Sequence, residues 1–471
     1  MRAARMTDAL TSNALPIGQS GWRAELRETF KLAWPLALAN LLQMLVHAVD
    51  VVFVARLGER ELAASALAIA LFGLLMWALS GLTGIVAALI AEELGRRRHA
   101  VREVRRSVRM ALWLAMASGM MGMALCWQGE ALMRLTGQPD VLASRAGDFL
   151  RIIMFAMIPM VMANVLRSFV AALGRPIFAT AITLVALFAS LLFNYAFVFG
   201  NLGAPPLGLE GSALASVLTA CVQLLSYVAA ILTDRRLRRY RIFGNWWRAE
   251  WSRLRDLLRL GSPVMMIIIA EAGLFSGAAF LMGRIGEAEL AGHTVALQLA
   301  ALAFQIPFGI GQAATIRVGY HFGAQDRAAI GRAGWAGIAL GGAFMTLAAL
   351  LMVLAPRLLL RIYIDPAAPA NAAMAGFAVQ YMMVAAAFAL FDGIQAVAAG
   401  ALRGLQDTRV PMVIAIFSYW VPGYGAALWL GFRTPLEGTG VWIGLAVGLV
   451  FAAALLTWRW ARRDRLGLTR A

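Results

Sequence analysis

The chain has 471 residues, 61% of them hydrophobic and 14% charged, with a mean hydropathy of +0.74; soluble domains run at about 45–50% apolar and 25% charged, so a soluble globular protein is excluded. A net charge of +17 would point to nucleic acid in a soluble chain, but its placement along this one follows the bilayer instead. Apolar residues come in continuous runs rather than the alternation of barrel strands, which makes this an all-α polytopic membrane protein.

Residues 1–30 are polar and lack the basic start, short apolar stretch and cleavage site of a signal peptide, so the first span is expected to act as its own insertion signal. About twelve transmembrane helices follow, at 31–55, 62–91, 107–127, 148–173, 177–200, 211–233, 261–283, 290–316, 333–355, 377–402, 410–432 and 438–460. They group into a six-helix N-lobe (31–233) and a six-helix C-lobe (261–460), with a tail at 461–471. The joining segment 234–260 is rich in Arg and Trp. It is expected to lie as a cytoplasmic helix along the membrane surface, with Trp246, Trp247 and Trp251 at headgroup level. Short turns such as Gly174–Arg175–Pro176 leave no room for an extramembrane domain, so no enzyme activity is expected. Cys126 and Cys221 fall inside apolar runs without ligand spacing and read as buried small residues.

Residues 35–68 recur at a constant offset of 228: Pro35 answers Pro263, Arg56–Leu57–Gly58–Glu59 answers Arg284–Ile285–Gly286–Glu287, and Glu61–Leu62–Ala63 answers Glu289–Leu290–Ala291. Leu209–Glu210–Gly211–Ser212 answers Leu436–Glu437–Gly438–Thr439 one position short of that period. A duplicated half is the reading. Six spans per half is even, so the two lobes enter the membrane in the same direction, related by a pseudo-two-fold along the membrane normal, a design that sets a substrate site between them.

With the N-terminus placed in the cytoplasm, Arg96 to Arg98, Arg102, Arg105, Arg106, the cluster from Arg235 to Arg259, and Arg459 to Arg465 all fall on the cytoplasmic side. That asymmetry is the positive-inside rule, and it accounts for the basic balance without a nucleic-acid partner. A multi-pass protein of the bacterial inner membrane, both termini cytoplasmic, is the expectation.

Asp50, Glu271 and Asp392 are the carboxylates well inside spans. An ionisable group at that depth costs about 2.5–3.5 kcal/mol or more, so each is a candidate functional site. Under the repeat, Asp50 faces Ala278, Glu271 faces Gln43 and Asp392 faces Asn164, so the lobes share a scaffold and differ in charge. Glu271 and Asp392 are read as one ion-coupling centre and Asp50 as another; a carboxylate in a low-dielectric pocket can exchange H⁺ or Na⁺ for a cationic substrate. His47, three residues before Asp50 on the same helix face, either tunes that proton or is a lone polar residue satisfied by a neighbour. Pro35, Pro159, Pro263 and Pro307 interrupt apolar runs and are expected to kink their helices.

The residues resemble the multidrug and toxic compound extrusion (MATE) transporters of the bacterial NorM type over about 28–460. The carriers are Pro35 with His47–Ala48–Val49–Asp50 and Arg56–Leu57–Gly58, Leu166–Arg167–Ser168–Phe169, Asn194–Tyr195, Glu271, Gln305–Ile306–Pro307–Phe308–Gly309, Gly400–Ala401–Leu402–Arg403–Gly404 and Ser418–Tyr419–Trp420. The resemblance implies two lobes forming a V with a central cavity, and outward antiport of cationic or amphipathic compounds against inward H⁺ or Na⁺, without a cofactor. It makes Asp50 the first-lobe acid, Asn194 its polar partner, and Glu271 and Asp392 the second-lobe acids, where Na⁺ would bind if it is the coupling ion. Phe388 stands where such sequences carry Tyr, and Ser190 where they carry Asn; the missing phenol oxygen tilts the reading towards H⁺. A monomer is the working expectation. The alternative is a lipid or polysaccharide-precursor flippase of the same superfamily, against which the span interiors are acidic or neutral apart from Arg167.

Overall fold

The computed structural model describes residues 21–96, 100–366 and 368–469; most of the expected N-terminal segment, and Arg97 and Arg98, lie outside them. Among the described residues twelve helices are long and apolar enough to cross a bilayer: α1 (Trp22–Ala55), α2 (Glu59–Arg96), α3 (Ala100–Trp127), α4 (Asp140–Ala172), α5 (Ile177–Phe199), α6 (Leu209–Thr233), α7 (Trp251–Ile285), α8 (Glu287–Gly323), α9 (Arg327–Leu354), α10 (Ala372–Gly404), α11 (Arg409–Arg433) and α12 (Glu437–Ala461). Several overrun the predicted spans. Hydropathy marks the stretch that sits in hydrocarbon, whereas the hydrogen-bonded helix continues through the headgroup layer, where charged side chains stay hydrated.

Helices α1–α6 and α7–α12 form two six-helix lobes. α1 packs on α8 and α2 packs on α7. These two contacts become each other when the lobes are exchanged, as a two-fold along the membrane normal requires. At the contacts the backbones nearly touch: a Cβ on Gly309 of α8 would stand 2.7 Å from the Ala37 Cα of α1, and one on Gly261 of α7 would stand 2.2 Å from the Leu82 carbonyl of α2. Only glycine permits helix axes this close, the usual device for helix association in lipid.

The hydrophobic core divides unevenly. One buried cluster fills the N-lobe and takes in Ile310 to Phe322 of α8 and Val397 to Leu405 of α10. A separate one, from Ala270 to Met282 of α7 and Val441 to Leu449 of α12, fills the rest of the C-lobe. The lobes therefore share a core at one end and keep separate cores towards the other. At the shared end polar ties reinforce the closure. Arg317 of α8 donates to both carboxylate oxygens of Glu25 of α1, at 2.9 and 2.7 Å, and Arg253 of α7 donates to Glu93 at 2.9 Å and Glu103 at 2.7 Å.

One expectation needs correcting. The segment 234–260 is not a surface helix: a short helix, Arg235–Arg238, is capped by Asp234, turns follow, and residues from Trp251 onward belong to α7. Arg241 and Asn245 take φ of 46° and 54°, left-handed values that end a helix, and buried Leu237 and Ile242 pin the turns to the N-lobe. In α4 the distortion precedes Pro159, as a 3₁₀ turn at Met154–Ala156, because the missing N–H of a proline frees the carbonyl four residues earlier. The largest departure is in α11, where Tyr419–Tyr424 forms a π-helical turn around Pro422, a proline not singled out in the sequence.

Candidate functional site

In the N-lobe Asp50 is 8% exposed and sits in a cradle of neutral donors. Its Oδ1 accepts from the Asn194 amide at 2.7 Å and the Ser190 hydroxyl at 3.1 Å, both on α5; its Oδ2 accepts from the Ser216 hydroxyl of α6 at 2.9 Å. Asn194 and Ser190 lie one turn apart on α5, so the helix repeat itself presents both donors to α1. Ser190 thus occupies a hydrogen-bonding position that the resemblance assigns to an Asn. His47 is exposed, and among the described residues it makes no direct hydrogen bond. One further turn back on the same helix, the Gln43 carbonyl accepts from the Gln223 amide of α6 at 3.2 Å.

In the C-lobe Glu271 of α7 and Asp392 of α10 lie within electrostatic reach of each other and share one neighbour, Gln395. The Gln395 amide donates to Asp392 Oδ1 at 3.3 Å, and its carbonyl accepts from the Tyr419 hydroxyl of α11 at 2.8 Å. The structure thus brings Glu271 and Asp392 together and leaves Asp50 in the other lobe. Phe388 turns into an aromatic stack, 6.0 Å from Trp442, which also stacks on Tyr381 at 5.7 Å. Asn164 serves the backbone: it donates to the Ser80 carbonyl at 3.1 Å and lies 3.4 Å from Thr83 Oγ1, beside the break at Ile85 where α2 interrupts its helix.

Ser216, Gln395 and Tyr419 are the site residues that sequence reasoning missed. Gln395 had a signal, since it stands three residues after Asp392 on one helix face. Tyr419 and Ser216 come from other helices, and only packing brings them in. Among the described residues neither carboxylate site contains Arg or Lys, and no three His, Cys, Asp or Glu side chains gather as a metal cluster. Two like charges in low dielectric are relieved by one shared proton or one bound cation, and the three acids are free to offer that service. Arg167, half-buried in the N-lobe, donates to the Leu36 carbonyl at 3.2 Å and to the Asn40 side chain, whose own amide reaches the Gln305 carbonyl of α8 at 3.4 Å. Along α1, Asn40 is ten residues from Asp50, about 15 Å of helix. The cation therefore stands apart from the acids, nearer the closed end.

A family model described as MatE matches residues 35–196 and again 263–428, two copies whose starts differ by the period of the internal repeat. The probable multidrug resistance protein NorM of Mesorhizobium japonicum is 45% identical over 445 residues, covering 94% of this chain and 95% of its own. Its counterpart from Brucella suis is 40% identical over 441 residues, covering 94% of each. Among solved structures, a multidrug resistance MATE family transporter in an outward-facing conformation superposes with a TM-score of 0.84 at 20% identity, over 95% of this chain and 97% of that one. A eukaryotic MATE transporter gives the same TM-score at 18% identity, over 95% of this chain and all of the other. With its duplicated lobes and a family match in each, the chain belongs to the MATE family of transporters.

Proposed function

We propose that this protein is a secondary active antiporter that exports cationic or amphipathic drugs and metabolites in exchange for inward H⁺ or Na⁺. It acts as a monomer in the bacterial inner membrane, with both termini cytoplasmic, as the clustering of Arg at the closed end of the bundle favours. No cofactor or enzymatic step is assigned. The supporting observation is the set of three interior carboxylates: Asp50 and Asp392 accept from neutral donors, Glu271 lies within electrostatic reach of Asp392, and among the described residues none forms an ion pair with Arg or Lys. Such charges bind a cation or a proton in turn, so substrate and coupling ion compete for them; that competition is what couples the two fluxes. The multidrug activity in the names of the relatives agrees with this chemistry.

The test is export of a fluorescent cationic dye in proteoliposomes under an imposed pH gradient or an imposed Na⁺ gradient. Wild type is expected to move dye under one of them, and Asp392→Asn and Asp50→Asn to lose most of that flux at unchanged expression. Full flux in both variants would refute carboxylate coupling.

A further inference from the structure

A carboxamide has a donor side and an acceptor side, and what it offers a neighbouring site depends on which side is tied elsewhere. At the C-lobe centre the choice is made by α11. Tyr419 is fully buried and Gln395 only 4% exposed, and the Tyr419 hydroxyl donates to the Gln395 carbonyl at 2.8 Å. With its oxygen engaged there, Gln395 turns its N–H₂ towards Asp392, at 3.3 Å, and towards Glu271. The arrangement contrasts with the N-lobe, where Asn194 also donates to its acid but keeps its own carbonyl oxygen buried and, among the described residues, without a partner.

The consequence concerns the coupling ion. A hard cation held between two carboxylates needs further oxygen ligands. The Gln395 amide oxygen is engaged by the Tyr419 hydroxyl, and Phe388, one turn before Asp392, is committed to its stack with Trp442 and carries no oxygen. A proton needs no such shell: it sits on one carboxyl, and the amide N–H₂ stabilises the charge left on the other. The π-helical turn of α11 begins at Tyr419, so the contact of its hydroxyl with α10 lies where the helix widens.

We infer that Tyr419 is a positioning residue which holds Gln395 as a donor and thereby makes the Glu271–Asp392 pair a proton site that rejects Na⁺. The inference rests on the antiport reading and adds to it the identity of the ion at one lobe.

Tyr419→Phe and Gln395→Met separate the effects. Tyr419→Phe keeps the ring and frees the amide to turn its oxygen towards the acids. Flux driven by the pH gradient is expected to fall several-fold, while Na⁺ begins to stimulate dye export and radioactive sodium binding appears in detergent. Gln395→Met removes donor and acceptor together, so the pH-driven flux should fall about tenfold with no sodium response. If Tyr419→Phe cannot be purified monodisperse, Gln395→Met alone decides, since unchanged pH-driven flux there overturns the inference. It is overturned equally by a Tyr419→Phe protein of wild-type ion preference, or by wild-type Na⁺-driven flux that depends on Asp392. A wild-type protein that moves dye under neither gradient would instead remove the antiport reading, and this inference with it.

Discussion

Asp50 shows what a buried carboxylate needs when no Arg or Lys accompanies it. Three donors from two helices satisfy it, and the strongest by distance is the Asn194 amide at 2.7 Å. A hydrogen bond to a charged group contributes about 1.5–3 kcal/mol, and each 1.4 kcal/mol is about a factor of ten. Asn194→Ala is therefore expected to lower dye export about tenfold or more, and Ser216→Ala by less, because Ser190 and Asn194 still hold the other oxygen. Flux measured at matched protein levels checks both, and equal effects would mean that the cradle acts only through packing. Asp50, Glu271 and Asp392 are legible in the sequence because a charge inside an apolar run is costly wherever it falls. Their partners are not, since a Ser or Gln costs little in a helix and betrays nothing of what it faces.

At the scale of one helix, α11 carries the most information. Proline removes an N–H and crowds the preceding turn, and here the chain answers with a π-helical turn rather than a simple bend. Pro422→Ala restores the donor and lets the segment relax towards an ordinary α-helix, which rotates Tyr419 away from Gln395. The expected outcome is a several-fold loss of dye export with a melting temperature equal to or above that of wild type. A variant that transports normally would show that the wide turn is incidental to the site. The apolar run of α11 is legible in the sequence, but its internal geometry is not: period and hydropathy read which face is apolar and are blind to one extra residue in a turn. The segment 234–250 failed for a related reason. Its Arg and Trp content suggested a surface helix, whereas left-handed Arg241 and Asn245 and buried Ile242 made it a strap on the N-lobe.

Across the whole molecule, the closed end depends on the contact between Glu25 and Arg317, 0% and 2% exposed, which joins the first helix of one lobe to the second helix of the other. His321 Nε2 lies 3.7 Å from the same Glu25 carboxylate. Deleting one member of a buried pair strands the other and costs about 3–5 kcal/mol, whereas replacing both by apolar residues is often neutral. Arg317→Met is thus expected to lower the melting temperature markedly, and Glu25→Leu combined with Arg317→Met to recover most of it. Thermal unfolding in detergent followed by tryptophan fluorescence checks the pair; additive losses would mean that the two do not interact. Since the cycle of a two-lobed transporter requires the lobes to rock, this contact is also among those that must break when the closed end opens.

By itself the sequence determined the membrane, the helices, the duplication and the three acids. Each is written in local terms, as run length, apolar content, a recurring block or a charge where charge is costly. The tertiary structure decided which polar groups meet: Ser216 with Asp50, Gln395 with both C-lobe acids, Tyr419 with Gln395, Glu25 with Arg317. Those encounters join residues distant along the chain, and they depend on how closely two helices approach and on the register within a turn. Glycine contacts at Gly309 and Gly261 and the wide turn at Pro422 set these to fractions of a helical turn, a precision that the spacing of residues along one strand of sequence does not carry.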